Sequence, residues 1–486
     1  MLFNSHTFAL FLPVVFALYW WVFHDRRGRN VLLLIASYVF YGWWDWRFLG
    51  LIVLSSLLDF SVGLALERTE RKRSRQQLLW LSLIGNLGML GVFKYYDFFA
   101  ASLAGALATF GISLHPFMLG LVLPVGISFY TFQTLSYTID VYRREMRAER
   151  DPVAFFAFVS FFPQLVAGPI ERARELLPQF KEDHRFDPVA AADGLRQMLW
   201  GLFKKIVIAD NCARLVDATY AHPGQTPGLV LALGTVLFAF QIYGDFSGYS
   251  DIAVGCARLF GFRLMRNFAF PYFSRDIAEF WRRWHISLNT WFRDYLYIPL
   301  GGSRGGTAQR VRNTFAIFAV SGLWHGANWT FLAWGVLNAL FFLPLLLARR
   351  NRTHTGPIAP GRILPTTSET FAIGLTFGMT CLAWIFFRSR TIDEAILIIR
   401  RILFHSTGHG ALAGAMDFVK EHLLYVPALV LLLLMLVVEW VQRERQHGLE
   451  RLPSARPMRW TLYIGLILAI ALVGDHGAQQ FIYFQF

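Results

Sequence analysis

The sequence predicts an all-α polytopic membrane protein, and three observations predict it. Of 486 residues, 55% are apolar and only 16% are charged, against about 25% charged in ordinary soluble chains. Mean hydropathy is +0.42, so too few polar residues remain to coat a soluble surface. The apolar residues also gather in runs near the ~20 residues a helix needs to cross a bilayer, with short basic segments between them. The same composition excludes intrinsic disorder. The net charge of +14 comes from 46 Lys+Arg against 32 Asp+Glu. In a soluble chain it would suggest nucleic acid. Here it sits between apolar runs, so no nucleic-acid partner is expected, and the charge orients the chain among membrane lipids.

The elements follow in order. Run 8–23 is followed by His24-Asp25-Arg26-Arg27-Gly28-Arg29, with no small-residue cleavage site, and reads as a retained span. Further runs cover 31–44, 48–66, 78–98 and 116–140. Segments 24–29, 67–75 and 142–151 are basic, whereas 99–115 carries no charge. Lys/Arg excess marks cytoplasmic loops, so the N-terminus is expected outside. Run 155–170 is interrupted by Pro163 and Gly168-Pro169, which suits a re-entrant helix surrounded by protein. Segment 195–220 holds Lys204, Lys205, Asp210 and Arg214 and cannot be a simple lipid-facing helix. Run 228–243 reads as a span.

Segment 258–312 sets ten arginines against Asp276, Glu279 and Asp294, and 349–352 is basic again. Both are expected on the cytoplasmic side. The mostly apolar stretch 313–348 is too short for two full spans and a turn. Its first arm, 314–324, measures roughly 16 Å at 1.5 Å per residue, which places the turn Trp324-His325-Gly326-Ala327-Asn328 near mid-membrane. Runs 371–387, 423–441 and 460–474 complete the set. Segment 442–459, with five arginines, is expected in the cytoplasm, and 479–486 outside. Cys212, Cys256 and Cys381 lie far apart without a CxxC pair, which indicates small core residues rather than a zinc or disulfide framework.

His325 is the sharpest chemical candidate, because an ionisable side chain deep in a membrane is costly and marks function by default. Gly326 and Ala327 leave room beside it, Asn328 can hydrogen-bond, and Trp324 and Trp329 provide walls. An imidazole can take a proton from a hydroxyl and return it; the plainer alternative is a histidine that joins two helices. In 279–300, Trp281, Trp284, His285, Leu288, Trp291, Phe292 and Tyr295 recur at helical spacing, with Arg282, Arg283 and Arg293 elsewhere. This pattern predicts one amphipathic helix with an aromatic and a basic face. His285 lies on the aromatic stripe, where a polar ring needs a partner. Gly301-Gly302-Ser303-Arg304-Gly305-Gly306 can cradle phosphates or serve as a flexible loop. Segment 245–251 has two carboxylates, Asp245 and Asp251, and two anionic groups make a poor cation site. No HExxH, P-loop or GxSxG pattern occurs, and no metal is called for.

Arg282-Arg283-Trp284-His285-Ile286-Ser287-Leu288, together with Arg293-Asp294-Tyr295-Leu296-Tyr297-Ile298-Pro299-Leu300-Gly301-Gly302, resembles a signature of the membrane-bound O-acyltransferase (MBOAT) family. The resemblance is closest to its bacterial alginate O-acetyltransferase (AlgI-like) branch. Ser321-Gly322-Leu323-Trp324-His325-Gly326-Ala327 resembles the second signature, and segments 161–170 and 245–253 also match. Asn289 departs from the serine common in relatives. The resemblance implies an MBOAT-like bundle of about 10–12 transmembrane helices, with re-entrant helices around a central funnel. It implies one acyltransferase domain, 1–486, made of N-terminal helices (1–150), a catalytic core (151–350) and C-terminal helices (351–486). It implies transfer of an acetyl group from a cytoplasmic thioester, acetyl-CoA or an acyl carrier, to an extracytoplasmic polysaccharide such as alginate, with no permanently bound cofactor. His325 matches the catalytic histidine and His285 a second functional one. Trp284, Trp324 and Asn328 are then expected around the substrate, and Arg282, Arg283 and Arg304 around the donor phosphates. A periplasmic SGNH-type partner and the bacterial cytoplasmic (inner) membrane belong to the same expectation. D-alanyl transfer to a cell-wall polymer and a non-catalytic transporter stand as alternatives; a transporter usually shows paired internal repeats, and none is visible here.

Overall fold

Among the described residues the regular structure is twenty α-helices and eight short 3-10 or π turns, with no strand. The computed structural model describes residues 1–407, 409–475, 477 and 481–482. The expected outer location of 479–486 therefore falls, apart from Phe481 and Ile482, outside the described residues. The chain forms two compact units: Met1–Gly194 with Cys256–Met265, and Leu195–Gly255 with Arg266–Phe486.

The first unit holds α1 (His6–Ala17), α2 (Arg26–Asp45), α3 (Leu49–Arg68), α4 (Lys72–Leu90), α5 (Tyr96–Ala108), α6 (Ile127–Arg143), α7 (Pro152–Ser160) and the single turn α8 (Ala173–Leu176). Side chains of Ser5, Asp25 and Asp151 accept the first backbone N–H groups of α1, α2 and α7, which satisfies donors that have no partner within a helix. Run 116–140 does not form one span. Pro124 and Gly126, the latter at φ 75°, delay the helix to Ile127, and 112–124 has no regular structure. Nearly all of α6 is buried, polar positions included. Thr138 donates to Asp59 (2.7 Å), as do Asn86 (2.7 Å) and Ser82, and Ser55 bonds Asn86 (2.6 Å). These side chains stitch α3, α4 and α6 together where water is absent. The break expected in 155–170 is present: α7 ends at Ser160, and 161–164 begins a buried non-helical turn.

The second unit contains most of α9 (Pro188–Leu202), α10 (Asp210–Tyr220), most of α11 (Gly228–Leu259), α12 (Ile277–Arg283), α13 (Ile286–Phe292), α14 (Thr307–His325), α15 (Trp329–Leu347), α16 (Thr367–Arg388), α17 (Ile392–Phe404), α18 (His409–Glu421), α19 (Val426–Val441) and α20 (Arg456–Val473). A wide π turn, Phe203–Ala209, links α9 to α10 and buries both lysines. Lys204 reaches Asp251 (2.6 Å); Lys205 reaches Asp210 (2.7 Å) and Asp245 (2.8 Å). The carboxylates of segment 245–251 are thus taken by ammonium groups. This explains both why 195–220 is not lipid-facing and why the acidic segment needs no added cation.

Seven helical stretches are long and apolar enough to cross a membrane: Arg26–Arg68, Lys72–Ala108, Gly228–Leu259, Trp329–Leu347, Thr367–Arg388, Leu423–Val441 and Arg456–Val473. The first is 43 residues long and contains both α2 and α3. The chain is an integral, multi-pass membrane protein. One further correction concerns the arm before His325. It is not the short piece 314–324, because α14 is continuous from Thr307 and includes Arg310 and Arg312. At 1.5 Å per residue, His325 lies about 20 Å along the axis from Arg312.

Helices α14 and α15 form the closest pair in this unit. A methyl on Gly322 would meet the carbonyl oxygen of Phe331, and one on Gly335 that of Phe318. Gly322→Ala and Gly335→Ala are therefore each expected to cost about 1–3 kcal/mol, read as a lowered Tm of the detergent-purified protein. Gly374→Ala, with open space at the same point inside α16, should not lower Tm, because alanine removes the conformational freedom of a helix-interior glycine.

Candidate functional site

The segment predicted as one amphipathic helix is broken at its histidine. Helix α12 stops at Arg283, and α13 begins at Ile286. Between them His285 adopts φ 45°, a left-handed conformation that costs a non-glycine residue about 1–3 kcal/mol and persists only where the surroundings enforce it. Asn267 supplies that enforcement. Its backbone carbonyl accepts from Ile286 N (2.9 Å). Its side-chain Oδ1 accepts from Ser287 Oγ (2.9 Å) and faces His285 Nδ1 at 3.1 Å. Asn289, the departure from serine, donates to the carbonyls of Trp281 and Trp284, both at 2.6 Å, and so satisfies the end of α12. Trp281, Trp284, Trp291 and Phe292 are buried, carried by two short helices with a kink rather than by the one amphipathic helix expected.

Because Asn267 Oδ1 can only accept, His285 Nδ1 is the donor, and the ring is held in the Nδ1–H tautomer. Its Nε2 lone pair is buried and has no hydrogen-bond partner among the described residues. Burial pushes its pKa well below the usual imidazole value, so the ring is neutral at ordinary pH.

His325, the last residue of α14, is 3% exposed. Its ring packs against Trp324 (4.9 Å between centroids), Trp334 on α15 (5.1 Å) and Phe387 on α16 (5.3 Å). His285 packs on Trp324 at 5.8 Å and edge-on against Phe246 at 4.7 Å. Both histidines thus contact one indole, that of Trp324. Trp384 extends the box, stacking on Trp334 (5.8 Å) and contacting Trp284 (5.2 Å). The indole N–H groups of Trp281 and Trp384 also lack a partner among the described residues. Buried polar atoms left unmet in this way suit a cavity that receives a polar ligand.

The structure brings together His325, His285, Trp324 and Trp284, but not the other expected residues. Asn328 caps α15, accepting from Thr330 N (3.0 Å) and donating to the Arg390 carbonyl (3.0 Å). Arg282 donates to the carbonyls of Asn351 and His354, and Arg283 to Glu279 and the Ala269 carbonyl. The Gly301–Gly306 loop wraps the carboxamide of Gln309. Arg304 is exposed. Trp334, Trp384, Phe387, Phe246 and Asn267 had not been singled out. Trp384 and Phe387 carried a usable signal, a spacing of three on one helix facing the core. Asn267 carried none.

The family model for membrane-bound O-acyltransferases matches residues 143–386. The "Probable alginate O-acetylase AlgI" of Azotobacter vinelandii is 43% identical over 399 residues, covering 81% of this chain and 76% of that protein. Its namesake in Pseudomonas aeruginosa is 43% identical, covering 81% of this chain and 73% of that protein. The "Peptidoglycan O-acetyltransferase" of Helicobacter pylori is 33% identical over 533 residues, covering 100% of this chain and 98% of that protein.

Glu279 steadies the kink by accepting from Arg275 and Arg283, each at 2.9 Å. Burial alone would raise its pKa, but the hydrogen bonds from Arg275 and the charge of Arg283 hold it below the usual carboxylate value. A depressed carboxylate adds stability above about pH 4.3, its value in the unfolded chain, and loses it as pH falls through the folded value. Glu279→Gln should therefore cost about 3 kcal/mol at neutral pH. The Tm gap to the parent protein should close as the buffer is taken to pH 3.

Proposed function

The chain belongs to the membrane-bound O-acyltransferase family, and from that premise we propose that it O-acetylates an extracytoplasmic polysaccharide, with transfer at the buried pair His325 and His285. The observation that carries this reading is the aromatic box, in which two imidazoles flank the Trp324 indole away from water. The printed names of the relatives, an alginate O-acetylase and a peptidoglycan O-acetyltransferase, support acetyl as the acyl group and a polysaccharide as its destination.

The donor in this reading is a cytoplasmic thioester, acetyl-CoA. His325 accepts the proton of the acceptor hydroxyl as its oxygen attacks the thioester carbonyl. The C–S bond breaks, and the departing thiolate takes the proton back, leaving an ester and a free thiol. A thioester is already activated, so positioning and exclusion of water supply much of the acceleration. The tryptophan N–H groups are suited to the oxygen that gains charge. Arg304, on the exposed glycine-rich loop, serves to draw in the anionic donor. A periplasmic SGNH-type protein receives the acetyl group, and the chain resides in the bacterial inner membrane.

A second reading makes His285 the base, favoured by the Nδ1 contact with Asn267 that leaves Nε2 ready to accept a proton. Alanine variants separate the two. With membrane level and Tm matched, His325→Ala is expected to lower acetyl content of the surface polymer by about 10²–10⁴-fold in initial rate, and His285→Ala by less. The reverse order would transfer the role to His285. An unchanged acetyl content in both would remove the site.

A further inference from the structure

A cavity of about 930 Å³ lies at the arginine-rich ends of α19 and α20, a size suited to a small-molecule or lipid site. The chain around it is firmly built. Gln442 Nε2 donates to the Arg451 carbonyl (2.6 Å), closing the link between the two helices. Gly448 packs directly on the Trp200 indole. Arg443 donates to the carbonyls of Ile358 (2.9 Å) and Ala359 (3.1 Å), and Trp440 Nε1 to that of Ile363 (2.7 Å), which fixes the opposite rim. The cavity is therefore preformed.

Its lining has two chemistries. Val437, Val441 and Leu462 form an apolar wall, and they belong to two stretches long and apolar enough to cross a membrane. Val437 is 59% and Val441 70% exposed, so this wall faces whatever surrounds the helices. At the rim, four arginines (Arg362, Arg443, Arg445 and Arg451) stand against the single carboxylate of Glu444. Arg443 is consumed by backbone carbonyls, and Arg362 pairs with Glu369 at 2.8 Å. Arg445 has only a long contact with Glu450, 3.9 Å, and Arg451 is exposed. Two guanidiniums are thus available beside an apolar wall.

We propose that this cavity binds an anionic phospholipid, its phosphate held by Arg445 and Arg451 and its acyl chains laid along Val437, Val441 and Leu462. Basic pockets at the ends of membrane helices recognise such head groups by charge, and guanidinium–phosphate contacts are strong and directional. A soluble anion would satisfy the arginines but leave the apolar wall uncovered; a lipid satisfies both.

The test uses the full-length protein in phosphatidylcholine nanodiscs with or without phosphatidylglycerol, with retained lipid identified by native mass spectrometry. The parent protein is expected to retain phosphatidylglycerol about tenfold over phosphatidylcholine. That preference should vanish in Arg445→Ala/Arg451→Ala and weaken in Arg451→Gln, a milder change at an exposed side chain. Arg27→Ala/Arg400→Ala, which removes equal charge elsewhere, should keep it. Absence of a preference in the parent, or its full retention in both cavity variants, would overturn the proposal. So would complete displacement of the lipid by inorganic phosphate, which would mark a soluble-anion site, or by an acidic carrier protein, which would mark a protein-docking site.

Discussion

The contact between His285 Nδ1 and the side chain of Asn267 is the point on which the second unit's interior depends. The carboxamide oxygen sets a tautomer and accepts from Ser287, while backbone hydrogen bonds from Ile286 to Asn267 and from Ala269 to Arg283 tie 267–269 to the break between α12 and α13 and hold the left-handed His285. Without it, 279–300 would be free to continue as the single amphipathic helix its periodicity favours, and its aromatic stripe would face one direction only. With the kink, Trp281 on α12 and Trp284 just past its end are buried in the box, while Ser287 and Leu288 are buried from α13. A polar ring in an apolar interior must be partnered, and here the partner also shapes the fold.

Charge does a second kind of work. Lys204 and Lys205 sit fully buried against acidic residues of α10 and α11, and Glu279 gathers two arginines at the kink. Arg282 spends its guanidinium on the backbone carbonyls of Asn351 and His354, and Arg312 on the Asn313 carboxamide and the Leu300 carbonyl. Part of the basic charge is therefore structural, holding the π turn, the kink and neighbouring loops. Other arginines, Arg304 and Arg451 among them, are exposed.

The helical class, most apolar runs and the pairing of the two histidines were legible in the sequence, because bilayer thickness and hydrophobic periodicity leave few other solutions. Three features were not. The start of α6 at Ile127 depended on Gly126 overriding an apolar run. The continuity of α14 through Arg310 and Arg312 was hidden because arginines looked like a loop signal, although long side chains can reach the interface from within a helix. The break at His285 was hidden because its cause, Asn267, lies 18 residues away, and periodicity reports only local geometry. Trp334 was likewise hidden, since an aromatic residue in an apolar run looks like ordinary core, whereas Trp384 and Phe387 showed only their spacing of three on one helix.

The central claim is that the aromatic box passes an acetyl group from a donor on one face of the membrane to a hydroxyl on the other, with His325 as the base. The most direct measurement places the purified protein in sealed vesicles of known orientation. Acetyl-labelled acetyl-CoA is supplied on one face and a hydroxyl acceptor with the SGNH-type partner on the other. The account predicts label in the acceptor only when the donor is on the face bearing the basic segments, and none with His325→Ala. Label that arrives from either face, or that persists undiminished in that variant, would contradict it.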